Sequence, residues 1–98
     1  MTIEKYTPIE SKQFKRGRKL AKKRGLDMSL LKWGVSQLSQ DLPLPSNWKD
    51  HQLKGNLNHL RECHIGGSAD WLLIYEKQET EMILYLADTG THTELFGQ

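Results

Sequence analysis

The sequence has a single cysteine, Cys63, among its 98 residues, which excludes an internal disulfide. It has no apolar run close to the roughly 20 residues that a membrane-spanning helix needs. The first ten residues lack the apolar segment of a secretory signal, so a reducing cytoplasm is the expected compartment. A chain of this length is expected to form one domain over residues 1–98, which excludes a two-domain enzyme or a (β/α)8 barrel.

Metal-binding patterns are also missing from the sequence. There are four histidines and one cysteine, but no C-x-x-C or H-x3-H pair of the kind that holds structural zinc. We therefore expect neither a metal ion nor another cofactor.

The charge is distributed unevenly along the chain. Residues 1–32 hold ten basic and three acidic residues, whereas residues 33–98 hold four and nine. Eight of the basic residues lie between Lys12 and Arg24, on a segment with a thin helical stripe of apolar residues. Such a run is either a solvated helix face or a surface for a polyanion. Its candidate phosphate-binding residues are Lys15, Arg18, Lys19 and Lys22.

The spacing of apolar residues predicts two helices followed by three strands. The helices are expected at 9–24 and 28–39 and the strands at 59–65, 70–76 and 81–88. A weak alternation over residues 2–7 predicts an additional first strand. The expected fold class is α+β, a small antiparallel sheet with an N-terminal helical hairpin packed on one face and the other face open.

The polar residues of the predicted strands are expected to meet on the open face. Residues two apart in a strand share a face, so Glu62 and His64 point one way and Cys63 the other, towards the helices. If successive strands pair as a meander, the ends of the polar segments converge. The expected cluster consists of His51, Glu62, His64, Asp70 and His92.

This combination of side chains suits the cleavage of RNA without a metal ion. Imidazole titrates near neutrality, so one neutral histidine can take the proton of a ribose 2′-hydroxyl. A second, protonated histidine can donate a proton to the leaving 5′-oxygen. Lys54 and Arg61 are candidates for stabilising the negative charge of the transition state. Trp71 and Phe96 are candidates for stacking on an unpaired base.

Ordered motifs give the chain a family resemblance. The strings DHQLKG, RECHI, DWLLIY and TGTHTELF, with the basic segment KQFKRGRKLAKKRG and the LPLP loop, are similar to the YafQ branch of the RelE superfamily. Its members are ribosome-dependent mRNA endonucleases, the toxins of bacterial toxin–antitoxin pairs, with a RelE-like microbial RNase fold. The positions that match the family's catalytic and RNA-contacting residues are His51, Glu62, His64, Asp70, Trp71, His92 and Phe96.

The resemblance also implies partners. These are a RelB- or DinJ-like antitoxin in a heteromeric complex, mRNA and ribosomal RNA, and operator DNA through the antitoxin alone, with no membrane. One position departs from the family pattern: Asp88 stands before the last Thr-Gly, where the family usually has an arginine that would bind phosphate.

Alternative interpretations remain at this point. A ParE-like toxin shares the fold and inhibits gyrase without cutting RNA, and a weakly active toxin would act mainly as an antitoxin-binding co-repressor. Single residues also have structural interpretations: Glu62 as a surface acid, Asp70 as a strand cap, and Trp71 as core. For Trp71 we favour a partly exposed wall of the site. Cys63 is expected to be buried and inert.

Overall fold

A computed structural model describes residues 4–97, which form a five-stranded sheet with three α-helices. In chain order the elements are β1 (Thr7–Glu10), α1 (Lys12–Lys23), α2 (Met28–Ser39), β2 (His51–Gln52), β3 (Arg61–His64), β4 (Leu72–Gln78), β5 (Ile83–Gly90) and α3 (His92–Phe96). Short 3-10 turns at Ser46–Trp48, Gly55–Leu57 and Ile65–Gly67 connect them. None of the helices in residues 4–97 has both the length and the apolar character needed to cross a bilayer.

The strand order in the sheet is β1-β5-β4-β3-β2. Strands β2 to β5 pair antiparallel, as the meander predicts, and β1 pairs parallel with β5. The predicted α+β class is confirmed, and the sheet is mixed where an antiparallel one was expected. The first strand lies at Thr7–Glu10, whereas it was predicted over residues 2–7. Residues 2 and 3 lie outside the described residues, and residues 4–6 are not in a strand. Pro8 is accommodated because β1 is an edge strand.

The two predicted helices are present and begin at side-chain caps. Ser11 accepts a hydrogen bond from the Phe14 N–H, and Asp27 accepts one from the Ser29 N–H. Between the helices the chain turns at Gly25, whose φ of 79° is one that glycine adopts without strain. Helix α1 buries an apolar stripe against the sheet and leaves its lysines exposed.

The helices cover one face of the sheet. Residues from β3, β4 and β5 that share this face, among them Cys63, Leu73 and Leu86, form one core with apolar residues of α1 and α2. Cys63 is buried, as expected, and burial raises the pKa of its thiol far above its usual range.

Candidate active site

The site is built around Glu62, which lies on the face of the sheet opposite the helices. It alternates along β3 with buried Cys63 and pairs across the sheet with His51 of β2. The Glu62 side chain is only 8% exposed, and its Oε1 lies 3.5 Å from His51 Nε2 and 3.7 Å from His64 Nε2. A buried carboxylate needs charge partners or hydrogen-bond donors, and two imidazoles stand beside this one.

Backbone carbonyls set the orientation of both imidazoles. His51 Nδ1 lies 2.6 Å from the carbonyl oxygen of Lys49, and His64 Nδ1 lies 2.9 Å from that of Ser68. A carbonyl oxygen only accepts, so in each ring Nδ1 carries the hydrogen. The Nε2 atom of each ring is therefore the one that exchanges a proton, and it faces Glu62. Lys49 adopts a left-handed backbone conformation (φ 51°), which places its carbonyl for this contact.

His92 joins the cluster from the other edge. It is the first residue of α3, and both its backbone N–H and its Nδ1 bond to Asp70 Oδ1, at 2.8 and 2.9 Å. These two hydrogen bonds from His92 lower the pKa of Asp70, so the group is an ionised acceptor and Nδ1 is the donor. The rings of His92 and His64 are 6.0 Å apart between centroids. All five residues predicted to be catalytic thus lie in one chain of neighbours.

An apolar floor lies beside the polar cluster. Leu72 pairs across the sheet with His64 and Ile74 pairs with Glu62, so they share the face of the histidines. Both are buried although they lie outside the core that the helices cover. Asp88 of β5 pairs with Ile74, so it lies in the same cross-strand row as Ile74 and Glu62. Partial burial and the nearby Glu94 raise the pKa of Asp88.

Arg61 lies on the helix side of the sheet, away from the histidines. It pairs across β3 and β4 with Tyr75, a core residue, and its Nε donates to Asp50 Oδ1 at 3.2 Å. The Tyr75 hydroxyl donates to the same oxygen at 2.6 Å. Burial and the Asp50 carboxylate raise the pKa of this hydroxyl. The geometry therefore does not favour Arg61 as the cation for a transition state on the open face; it anchors Asp50, the neighbour of His51.

The two aromatic candidates differ in exposure. Phe96 is 40% exposed at the end of α3, as a stacking residue requires. Trp71 is 6% exposed and belongs to the core, because the strand alternation that sends Leu72 to the open face sends Trp71 to the helices. The expectation of a partly exposed wall is wrong. Its Nε1 has no hydrogen-bond partner among residues 4–97.

The basic residues of α1 also fall into two groups. Lys15, Lys19 and Lys22 are exposed, as a phosphate-binding surface requires. Arg18 is half-buried and donates from Nε and Nη2 to Glu10, at 2.6 and 3.2 Å. Lys54, ahead of the Gly55–Leu57 turn, is exposed.

Two contacts that orient the site had no signal in the sequence pattern. One is the hydrogen bond from the Tyr75 hydroxyl to Asp50. The other is the bidentate bond of Arg24 to Glu94 in α3, at 3.2 and 2.8 Å. The capping box of Thr91 and Glu94 is the one local signal for α3, which was not predicted as a helix.

Comparison with known proteins shows the family to which this chain belongs. A family model described as the YafQ bacterial toxin of type II toxin–antitoxin systems matches residues 6–97. The chain belongs to the YafQ toxin family. The mRNA interferase toxin YafQ of Escherichia coli K12 is 42% identical over 88 residues, which cover 89% of this chain and 91% of that protein.

Solved structures agree with the YafQ assignment. YafQ in the Escherichia coli DinJ–YafQ toxin–antitoxin complex is 38% identical with a TM-score of 0.83, covering 95% of this chain and 99% of that one. A metal-bound toxin from Helicobacter pylori is 41% identical with a TM-score of 0.86, covering 93% and 99%. In residues 4–97 of this chain, no three His, Cys, Asp or Glu side chains are grouped to hold a metal ion.

The family assignment confirms the resemblance drawn from the motifs. The chain is a toxin of the YafQ family, and its relatives from two Escherichia coli strains are named mRNA interferase toxins. The expected RelE-like fold is confirmed by the same comparisons.

Proposed function

We propose that this chain is an mRNA interferase that cuts translated messages on the ribosome through attack of a ribose 2′-hydroxyl on the adjacent phosphate. The observation that carries the proposal is the chain of neighbours His51–Glu62–His64–His92–Asp70 on an open sheet face. Three imidazoles with defined Nε2 atoms supply a general base and a general acid without help from a metal ion.

Each group in the cluster has a role in this reaction. A neutral imidazole takes the 2′-hydroxyl proton, the 2′-oxygen bonds to phosphorus, and a second imidazole protonates the departing 5′-oxygen. The products are a 2′,3′-cyclic phosphate and a 5′-hydroxyl. Glu62 compensates positive charge on His51 and His64, and Asp70 orients His92. Phe96 stacks on a base.

Three of the exposed lysines of α1, Lys15, Lys19 and Lys22, serve a different purpose. They lie in the helix layer, on the side of the sheet opposite the histidines, so they do not contact the scissile phosphate. Lys15, Lys19 and Lys22 bind ribosomal RNA phosphates, and Lys54 binds the message. The site of action is then the cytoplasm, where the ribosomes are. Raising the salt concentration weakens such binding.

Induction in cells and the chemistry of the cut ends test the proposal. Wild type should stop growth and cut translated messages, while His51→Ala, His64→Ala and His92→Ala should not. His59→Ala, which changes an exposed histidine outside the cluster, should cut like wild type. Fragments should carry 5′-hydroxyl ends, and purified message should be cut far faster with ribosomes than without.

Other outcomes contradict the proposal. If fragments carry 5′-phosphate ends, water and not the 2′-hydroxyl is the nucleophile. If growth stops while messages stay intact, a target such as gyrase replaces RNA. If wild type is folded and has no effect, the chain is a weakly active toxin that acts through its antitoxin, and Asp88→Arg becomes the next variant.

We also propose that an antitoxin binds this chain, as DinJ binds YafQ in the Escherichia coli complex. A groove of about 730 Å³ lies between α1 and α2. Its apolar floor includes Phe14, Leu31 and Val35, and Lys22 and Lys32 stand on its rim. An acidic, partly disordered chain that folds on binding fits such a groove. Operator DNA is then bound through the antitoxin.

Co-purification with the product of the adjacent gene tests the partner. Lys32→Glu should weaken the complex, and Lys12→Glu, the same charge reversal outside the groove, should not. Failure of the wild-type pair to co-purify would contradict the partner, and equal effects of the two variants would contradict the groove.

A further inference from the structure

Helix α3 carries His92 but does little to hold itself in place. It has five residues, all exposed or half-buried, including Leu95 and Phe96. A helix of this length is not stable alone in water, because its few hydrogen bonds do not offset the free-energy cost of nucleation. Its position, and with it the position of the His92 ring, therefore depends on polar contacts with the rest of the fold.

Contacts from Asp70 and from Arg24 are among those that hold α3. At the start of the helix, Asp70 accepts both hydrogen bonds from His92. Two residues on, Glu94 Oε1 accepts from the Thr91 N–H at 2.9 Å, and the Glu94 carboxylate also accepts the two bonds from the guanidinium of Arg24. The Asp70 contact fixes the start of the helix, and the contact to Arg24 fixes a second point along it.

Arg24 is itself well anchored. It is the C-cap residue of α1, and its backbone N–H donates to the Leu20 carbonyl. Helix α1 is fixed in turn by Phe14 and Ala21 in the core and by close packing of Gly17 on the backbone of Thr89. The Arg24 side chain thus connects the core to the helix that carries His92.

We propose that Arg24 and Glu94 form a positioning pair for His92, which holds α3 at the rotation that brings the His92 ring 6.0 Å from His64. This inference rests on the proposed role of His92 in RNA cleavage. An exposed ion pair contributes little to overall stability, whereas a displacement of about 1 Å in a reacting group costs up to about 100-fold in rate. The effect of the pair should therefore be on rate and on the order of α3, with little change in the unfolding temperature.

A double-mutant cycle on the full chain separates positioning from other roles. Arg24→Gln and Glu94→Gln each remove the charge pair, and glutamine at 94 retains a side-chain oxygen for the capping box. Both should lower kcat for ribosome-dependent mRNA cleavage about tenfold with KM unchanged, and the double variant should be no slower than either single one. Arg24→Lys, which keeps the charge but not the bidentate geometry, should be intermediate.

A second readout follows α3 directly. Amide hydrogen exchange at residues 93–96 should speed up in both single variants, while the core strands stay protected. Lys23→Gln removes the same charge from the neighbouring exposed position of α1 and should leave kcat and exchange unchanged.

The outcomes distinguish this inference from the proposed function. If Arg24→Gln raises KM and Glu94→Gln has no effect, Arg24 contacts RNA and the positioning role is wrong. If His92→Ala abolishes cleavage while neither Arg24→Gln nor Glu94→Gln changes kcat or exchange, the inference fails and the proposed function stands. If His92→Ala cuts like wild type, the role of His92 in the proposed function fails first.

Discussion

Replacement of Gly17 by alanine tests how closely α1 lies on the sheet. A Cβ atom at this position would overlap the carbonyl oxygen of Thr89 and lie 3.1 Å from both the carbonyl carbon and Cγ2 of that residue. The overlapping atom belongs to the backbone of β5, so no rotamer change relieves it. The helix would have to retreat by about 1 Å to restore a normal van der Waals separation.

Two opposing terms set the size of the effect. Overpacking of this kind costs about 1–3 kcal/mol, and the retreat also loosens Phe14 and Ala21, which flank Gly17 in the same interface. Alanine gains roughly 1 kcal/mol over glycine in a helix interior. We expect a net loss of about 1–2 kcal/mol in the free energy of unfolding, or a fall of about 5–15 °C in Tm for a domain of this size.

Gly34→Ala is the matched control, since it gives the other helix the same gain in propensity. Its Cβ would lie 2.7 Å from Cζ3 of Trp48, a side-chain atom that can shift in part. Urea and thermal unfolding of both variants measure the difference, and Gly17→Ala should lose at least twice as much stability as Gly34→Ala. A Gly17→Ala protein as stable as wild type, or more stable, would refute the close approach of α1 to β5.

Three other substitutions have expected outcomes. Lys77 helps to lower the pKa of Asp41 from 3.8 to about 2. The Asp41 carboxylate therefore contributes stability above about pH 4 that is lost as the pH falls towards 2. In thermal unfolding measured from pH 2 to 7, Asp41→Asn should lack that part of the acid transition. The pKa shift of Asp88 has the opposite effect on stability, because a raised pKa means that the native state binds the proton more tightly than the unfolded state does. Asp88→Asn should therefore raise the Tm at pH 7, and this gain should shrink as the pH falls below the pKa of Asp88. Tyr75→Phe removes a hydrogen bond to Asp50 inside the core, so urea unfolding should report a loss of about 1–3 kcal/mol; an unchanged midpoint would contradict the role of the buried hydroxyl.

Local patterns predicted most of the elements but not their long-range pairing. Helix α2 begins and ends where the apolar spacing and Asp27 indicated, and the three strands of the meander lie within two or three residues of their predicted ends. The parallel pairing of β1 with β5 joins residues at opposite ends of the chain, and alternation within either strand carries no signal for it.

The site was predictable where strand alternation governs it. Glu62 and His64 share a face because they lie two apart, and the meander brought His51 beside them. The same rule, applied to Trp71, would have placed it in the core with Leu73. The partner of Arg61 depends on where the loop delivers Asp50, which is a matter of tertiary packing.

The position of β5 in the sheet has a consequence for when this toxin can become active. Although β5 follows the other strands in sequence, it lies between β1 and β4, and within residues 4–97 it joins β1 to the meander. A nascent chain that has not yet emerged beyond residue 82 has neither a continuous sheet nor His92. Pairing over such a separation also makes folding slow. Synthesis therefore runs ahead of activity, and each new molecule passes through an inactive interval before the site is complete.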